Sequence, residues 1–121
     1  DGTIVNQRNI VLIPFSYSNL IDCKRRPALI ISNSEYNLNN SDFICCAITS
    51  NPKDYKNSVS IDKEDFEEGE LFFNSKVRPN RIFTIEKSKA VKKLAKLNIS
   101  KYKTVISNIY NIVNLEWLFF S

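Results

Sequence analysis

The chain gathers its apolar residues into short runs of strand length, which polar, turn-forming segments separate. Three runs are continuous, at residues 9–15, 27–32 and 43–50, and a fourth, at residues 58–62, alternates apolar and polar side chains. Runs this short are typical of strands, because helices generally need at least about 10–12 residues. Residues 100–120 show helical spacing instead. Strands followed by one long helix predict a mostly β fold, a small barrel that carries a C-terminal helix on its side.

The C-terminal helix is predicted from an apolar stripe that follows Ser100, the expected N-cap. The stripe consists of Tyr102, Val105, Ile106, Ile109 and Val113. We expect this stripe to face the core, as such stripes normally do. The last part of the segment, "LEWLFF" at residues 115–120, is more apolar than one helix end should expose. This composition favours a homodimer.

The segments between the strands give weaker signals. Residues 16–26 are polar and without periodicity, which predicts a long loop, and residues 33–42 are rich in turn formers. Three further segments are assigned as follows: a helical turn at the acidic residues 62–70, a proline-bent strand at residues 74–87, and either a helix or a short strand at residues 88–97.

Length and composition restrict the class of protein. The 121 residues, 43% of them hydrophobic, suit a single domain spanning residues 1–121 with its own core. No apolar run approaches the roughly 20 residues of a membrane helix, and no secretory signal is evident, so we expect a cytoplasmic protein. Cys23, Cys45 and Cys46 form no Cys-x-x-Cys pair, and the chain has no histidine. We therefore expect neither a metal site nor a cofactor, and interpret the thiols as small buried side chains.

The charge of the chain, +4 in total, is unevenly distributed. Residues 62–70 hold six acidic residues and one lysine, a net charge of −5, so the rest has 16 cations against 7 acids, a net charge of +9. A basic body indicates an anionic partner, with nucleic acid as the first candidate. A solvated basic surface explains the charge equally well. The densest cluster, Lys24-Arg25-Arg26, directly precedes Pro27 and a predicted buried strand.

The order of these segments resembles the MazF/PemK family, the toxins of type II toxin–antitoxin pairs. The similarity is carried by "IVLIPF", by Arg26-Pro27 with the apolar strand behind it, by "AITSN" at residues 47–51, and by "SKVRPNRIFTIEKS" at residues 75–88. It covers nearly the whole chain. The family opens with a Gly-acid pair, where this chain has Arg8-Asn9; we interpret this difference as a change in a turn rather than in the chemistry.

The resemblance implies a fold, an activity and partners. The fold is an SH3-like small barrel of the MazF/CcdB type, usually a homodimer. The activity is metal-independent, sequence-specific endoribonuclease cleavage of single-stranded RNA. The partners are a cognate antitoxin that blocks the RNA groove and, with the antitoxin, operator DNA. The alternatives are a toxin of the same fold without nuclease activity, such as a CcdB-like gyrase inhibitor, and a nucleic-acid-binding barrel that does not cut.

The resemblance also nominates Arg26 and Thr49 as catalytic residues. A guanidinium stays protonated in proteins, so we interpret Arg26 as a bidentate clamp on the phosphate whose negative charge grows during the reaction. The Thr49 hydroxyl can donate to a non-bridging oxygen. The general base that takes the proton of the 2′-OH is not assigned.

Further residues are candidates for RNA binding, since single strands bind where cations follow phosphates and aromatic rings stack on bases. The candidate phosphate contacts are Lys24, Arg25, Arg78 and Arg81. The candidate stacking platforms are Phe15 and Tyr17, and the candidate base readers are Ser50 and Asn51. Each could equally be an ordinary surface residue, and a phenylalanine such as Phe15 is more often part of a core.

Overall fold

Seven antiparallel strands form one sheet within residues 4–16 and 23–116, the part of the chain that the computed structural model describes. The strands are β1 Asn9–Ser16, β2 Cys23–Ile30, β3 Asp42–Thr49, β4 Val59–Ile61, β5 Phe66–Gly69, β6 Ser75–Glu86 and β7 Lys92–Leu97. Their order in the sheet is β4-β6-β3-β2-β1-β7-β5. The sheet curls into a half-barrel, and a helix follows the last strand. The predicted mostly β fold with a C-terminal helix is confirmed.

Two apolar clusters form the core, one on each face of the sheet. The first contains Ile10, Leu29 and Cys46 and extends to the C-terminal helix. The second contains Val11, Ala28 and Cys45, each adjacent in sequence to a residue of the first cluster. Successive side chains of a strand point to opposite faces, so continuous apolar runs supply both clusters.

The adjacent thiols of Cys45 and Cys46 are fully buried, one in each cluster. Burial raises the pKa of each thiol to about 12, because the interior disfavours the thiolate. Both side chains therefore act as small apolar groups, as predicted for them.

The first hairpin is longer than predicted. The polar residues Cys23–Arg26 belong to β2 and pair with β1, with Ser16 opposite Cys23 and Ile13 opposite Arg26. The prediction of a loop over residues 16–26 is therefore wrong for both of its ends. The cations lie on a strand and not merely before one, so the pairing with β1 fixes their direction.

The predicted turn region after β2 contains a short helix, α1 Ser34–Asn39. Asn33 is its N-cap, and the Asn33 side chain accepts a hydrogen bond from the backbone N–H of Tyr36 at 3.0 Å. Asn37, buried on the inner side, accepts a hydrogen bond from the Ser32 hydroxyl at 2.6 Å. This short helix with its N-cap lies where the turn was predicted.

The predicted helical turn occupies only the first part of the acidic segment, and the rest is a strand. A 3₁₀ turn at Lys63–Asp65 leads into β5, whose glutamates face cations of the neighbouring strand β7 and the turn before β1. Glu67 accepts a hydrogen bond from Arg8 at 3.0 Å, and Glu68 accepts one from Lys93. Lys96 lies 3.5 Å from Glu67 and 4.0 Å from Glu68. The segment is thus an edge strand held by a network of ion pairs.

Arg8, one residue of the departure from the family pattern, lies in a tight turn with a φ of 78°. Such a left-handed backbone favours glycine. Here the Arg8 guanidinium bonds both Glu67 and, at 2.9 Å, the carbonyl oxygen of Leu97. These contacts offset the backbone strain and attach the turn to the β5–β7 edge.

The region at residues 88–97, predicted as either a helix or a short strand, contains a strand, and the C-terminal helix follows it. Residues 92–97 form a strand, and α2 Ile99–Val113 begins after Asn98, which accepts a hydrogen bond from the N–H of Lys101 at 2.8 Å. Asn98, not Ser100, is therefore the N-cap. Within the predicted stripe Val105 is fully buried, whereas Val113 is 67% exposed, so the buried part of the helix face is narrower than predicted. Neither helix of the described residues could span a membrane.

Candidate functional site

A register shift in the β3–β6 pair builds the candidate site. Cys46 lies opposite Ile82 and Ile48 opposite Val77, so Ala47 alone faces the four residues 78–81 of β6. Pro79, fully buried within this bulge, has no N–H to donate to the ladder. The proline-bent strand predicted for this region is confirmed. The extra residues interrupt the regular ladder and redirect the side chains of the bulge, as bulges near functional sites often do.

The bulge forms one wall of a cavity of about 420 Å³, called the main cavity below. Its lining includes both predicted catalytic residues, Arg26 from β2 and Thr49 from β3. Ala28 pairs with Ala47 in the register of these strands. Arg26 and Thr49 each lie two residues beyond this last pair and therefore on the same face of the sheet as its side chains, because side chains alternate along a strand. Arg78 and Arg81 line the same cavity from the bulge.

Thr49 is the last residue of β3, and its hydroxyl oxygen accepts a hydrogen bond from the backbone N–H of Asn51 at 3.1 Å. The Asn51 side chain in turn accepts from the N–H of Lys53 at 2.9 Å. The Lys53 carbonyl oxygen accepts from Lys76 Nζ at 3.0 Å. These bonds fix the loop that follows Thr49 onto β6, and they leave the hydroxyl proton of Thr49 able to donate to a ligand.

Arg78 stacks on an aromatic ring that the sequence did not indicate. Its Cζ lies 3.9 Å from the ring centroid of Tyr55, which belongs to the same loop. Lys53 Nζ lies 5.5 Å from that centroid. Arg78 Nε is buried and has no hydrogen-bond acceptor among the described residues. The loop and the bulge are therefore joined by a cation–π contact at the edge of the cavity.

Phe15 and Phe83 line the main cavity as an aromatic pair, with ring centroids 5.4 Å apart and ring planes at 66°. Both also pack against the second core cluster. The two readings of Phe15, core residue and wall of the site, thus describe the same side chain.

The other predicted RNA contacts are distributed around the cavity rather than within it. Lys24 and Arg25 are exposed on β2 and are not among the described residues that line the main cavity. Ser50 and Asn51 line a neighbouring cavity of about 450 Å³, called the loop cavity below. Tyr17 lies outside the described residues. The structure thus brings together Phe15, Arg26, Thr49, Arg78 and Arg81.

Phe72 and Phe73 form an exposed aromatic pair that sequence reasoning missed. The two side chains are 92% and 74% exposed. Both line a small side cavity of about 170 Å³ together with Arg26 and Ser50, and Phe73 also lines the loop cavity. An apolar pair between the acidic strand and an asparagine looks like core in the sequence. The available signal was its position, outside every run of strand length.

The described residues that line the main cavity carry charge of one sign. They include three arginines and no carboxylate. The described residues contain no group of three or more cysteine, aspartate or glutamate side chains that could hold a metal ion. A concave surface lined by guanidinium groups, a hydroxyl and aromatic rings favours a ligand with both negative charge and planar groups.

Comparison with solved structures identifies the same fold in toxins. A MazE–MazF complex from Deinococcus radiodurans aligns with a TM-score of 0.76 and 19% identity over 93% of this chain and 99% of that chain. An endoribonuclease in complex with its cognate antitoxin, from a mycobacterial species, gives 0.74 and 16% over 93% and 97%. The Mycobacterium tuberculosis toxin MazF-mt6 gives 0.70 and 20% over 91% and 100%. At identities this low the structural alignments establish the fold alone. The predicted small SH3-like barrel of MazF type is thereby confirmed.

No curated protein sequence matches the chain. A family model does, and it extends over the whole described sheet and helix α2, from residue 6 to residue 113. Its description agrees with the resemblance inferred from the sequence. The chain belongs to the family of PemK-like, MazF-like toxins of type II toxin–antitoxin systems.

Proposed function

We propose that this toxin is a metal-independent, sequence-specific endoribonuclease that cleaves single-stranded RNA. The observation that carries the proposal is the meeting of Arg26 and Thr49, from two paired strands, in one cavity with Arg78 and Arg81. This combination supplies positive charge and a hydroxyl donor around a space large enough for a phosphate and part of a nucleotide. The endoribonucleases of the same fold support the assignment at the level of the family.

In the proposed reaction the 2′-OH attacks the adjacent phosphorus and the 5′-oxygen leaves. Negative charge accumulates on the non-bridging oxygens, so preorganised donors aimed at them lower the barrier. Arg26 would hold two of these oxygens through its planar fork, and Thr49 would donate its hydroxyl proton to one. Proton transfer from the nucleophile and to the leaving group is left to groups outside this pair, since a guanidinium stays protonated. The products are a 2′,3′-cyclic phosphate and a 5′-hydroxyl.

The proposed path of the RNA follows the three cavities, which share residues along the sheet. The main and side cavities share Arg26 and Ile48, and the side and loop cavities share Ser50, Phe73 and Ser75. A strand of RNA laid along this line would pass the scissile phosphate at Arg26 and bring bases to Ser50 and Asn51. Lys24 and Arg25 flank the path as exposed cations.

The partners follow from the family. We propose a cognate antitoxin that covers the RNA path, a homodimer, joint binding of operator DNA with the antitoxin, and action in the cytoplasm. The MazE–MazF complex from Deinococcus radiodurans and the mycobacterial endoribonuclease–antitoxin complex support the first of these. Light scattering tests the dimer, which a 14 kDa species at micromolar concentration would contradict.

The experiment for the activity is incubation of the protein with a long single-stranded RNA in excess EDTA, followed by mapping of the new ends. We expect cleavage at a restricted set of sequences, with 5′-hydroxyl ends. Loss of cleavage in EDTA or 5′-phosphate ends would overturn the mechanism. Binding of RNA without cleavage would favour the non-catalytic barrel, and inhibition of DNA gyrase in place of RNA cleavage would favour the CcdB-like alternative.

A further inference from the structure

Arg78 is fixed in place before any ligand binds. Its guanidinium stacks on Tyr55 at 3.9 Å, and the residue that follows it is the fully buried Pro79. A proline restricts the backbone of the residue before it. Both the side chain and the backbone of Arg78 have therefore lost freedom in the free protein, so little further entropy is lost when it binds a ligand.

The loop that carries the Tyr55 ring is attached to the sheet. The loop from Thr49 to Tyr55 is tied to β6 by the hydrogen bond from Lys76 Nζ to the Lys53 carbonyl oxygen at 3.0 Å. Inside the loop, Asn51 accepts from the N–H of Lys53. Tyr55 and Arg78 thus join β6 to the loop that begins after Thr49, one of the two residues that we propose to act on the phosphate.

The surroundings of Arg78 suit a neutral ligand group better than a phosphate. Its Nε is buried without an acceptor among the described residues, so part of the guanidinium is already desolvated. A phosphate would lose much of its hydration at such a position, whereas the edge of a base is neutral and costs less to desolvate. Arg81, exposed on the same cavity, offers a phosphate a solvated cation instead.

We propose that Arg78 is a specificity-determining residue of the nuclease that reads a guanine near the scissile phosphate. This inference rests on the proposed function. A guanidinium carries only donors, and its planar fork matches the adjacent acceptors N7 and O6 of guanine, whereas adenine presents a donor beside its N7. In single-stranded RNA this edge of the base is open to the protein. Arg26 then binds the phosphate, and Arg78 selects the sequence.

The test is cleavage of a randomised single-stranded RNA pool by the wild type, Arg78→Lys and Arg78→Gln, with sequencing of the new ends. For the wild type we expect one position near the cut to favour guanine over adenine by about 5- to 150-fold, the range of one bidentate contact. Both variants should lose this preference and keep those at other positions. Lysine keeps the charge but lacks the fork, so it should fail like glutamine.

Three matched variants separate base reading from general effects. Arg81→Lys should lower cleavage evenly across sequences and leave the preference for guanine intact. Tyr55→Phe keeps the ring under Arg78 and should keep the preference, whereas Tyr55→Leu should weaken it. Circular dichroism of every variant excludes misfolding as the cause.

Two results would overturn the inference that Arg78 reads guanine and leave the proposed nuclease function intact. One is a wild type that cleaves without a guanine-selective position. The other is an Arg78→Lys variant with an unchanged profile and a salt dependence of RNA binding that shows Arg78 as a phosphate contact. If the wild type cleaves no RNA at all, the proposed nuclease function falls, and this inference falls with it.

Discussion

Positive charge is arranged in opposite ways on the β5–β7 edge of the sheet and in the main cavity, which interior strands line. On the β5–β7 edge, Arg8, Lys93 and Lys96 are each within ion-pair distance of Glu67 or Glu68. In the main cavity three arginines line one surface whose described residues include no carboxylate. Both regions are built from the same kinds of residue on neighbouring strands of one sheet.

We interpret the cations of the edge as structural and the cations of the main cavity as the functional ones of the proposed nuclease. Glutamates neutralise the cations of the edge, and those pairs attach the acidic strand to the rest of the sheet. In the main cavity no described lining residue is a carboxylate, so an anionic ligand placed there would meet positive charge. Net charge alone could not distinguish the two regions, because it counts both sets of cations together.

The largest expected effect is at Arg26. Arg26→Ala should slow single-turnover cleavage by on the order of 10²–10³-fold, the loss typical for removal of one preorganised donor to a developing charge. Arg25→Ala removes the adjacent but exposed cation and should mainly weaken RNA binding, more so at low salt. Affinity is measured on an uncleavable 2′-deoxy substrate. Arg26→Lys should restore only part of the rate, since an ammonium lacks the planar fork. Equal losses at positions 25 and 26, confined to affinity, would make Arg26 an ordinary surface charge.

A smaller effect is expected at Thr49. Thr49→Val removes a hydroxyl donor to a charged oxygen, worth about 1.5–3 kcal/mol, or on the order of 10–100-fold in the rate. Thr49→Ser keeps the hydroxyl and should keep most of the activity. Thr84→Val, at an exposed position of β6, is the matched control and should cleave like the wild type. If Thr49→Val cleaves at the wild-type rate under single-turnover conditions, Thr49 serves only to fix the loop through Asn51.

Burial explains why some elements could be predicted from the sequence. The strands over residues 27–32 and 43–50 appear as continuous apolar runs, the strand over residues 58–62 as an alternation, and the final helix as an apolar stripe. The outer half of the first hairpin could not be predicted. Cys23–Arg26 pair with β1 in the sheet, but three of these four residues are cations, so no apolar pattern marks them as a strand. The region of β7 was left open between a helix and a short strand, because Val91, Leu94 and Leu97 suit either; in the structure it is a strand whose Ala95 and Leu97 are buried in the core. Tertiary pairing decides such cases.

The site was predicted in part. Arg26 and Thr49 came from the resemblance, and the structure brings them to one cavity. The bulge at residues 78–81 depends on how β6 registers against β3, which no local pattern of β6 contains. The stack joins Arg78 of β6 to Tyr55, 23 positions earlier, and the loop that carries Tyr55 shows only turn signals in the sequence. Contacts between a loop and a strand are the part of a site that a single sequence specifies least.

The smallest expected effect lies on the paired edge and appears as acid sensitivity. The hydrogen bond from Arg8 lowers the pKa of Glu67, and that from Lys93 lowers the pKa of Glu68, below the ordinary value of 4.5. A carboxyl group whose pKa is lowered by folding stabilises the protein above its unfolded pKa, and that contribution is lost as the pH falls through the folded value. Both glutamates are exposed, so the contribution is modest and is weakened by salt.

Urea unfolding of the wild type and of Glu67→Gln/Glu68→Gln measures this contribution. The double variant should be slightly less stable at pH 7, and the difference should shrink below about pH 4.5, and in 1 M salt, because protonation or screening removes the pairs from the wild type. Glu70→Gln is the matched control, since Glu70 forms no ion pair with another described residue. Cleavage at pH 7 should not change, because the edge does not line the main cavity. A pH-independent difference would show that packing of β5, not its charges, stabilises the edge. A large loss of cleavage would show that the two regions are coupled, and the separation between structural and functional cations would fail.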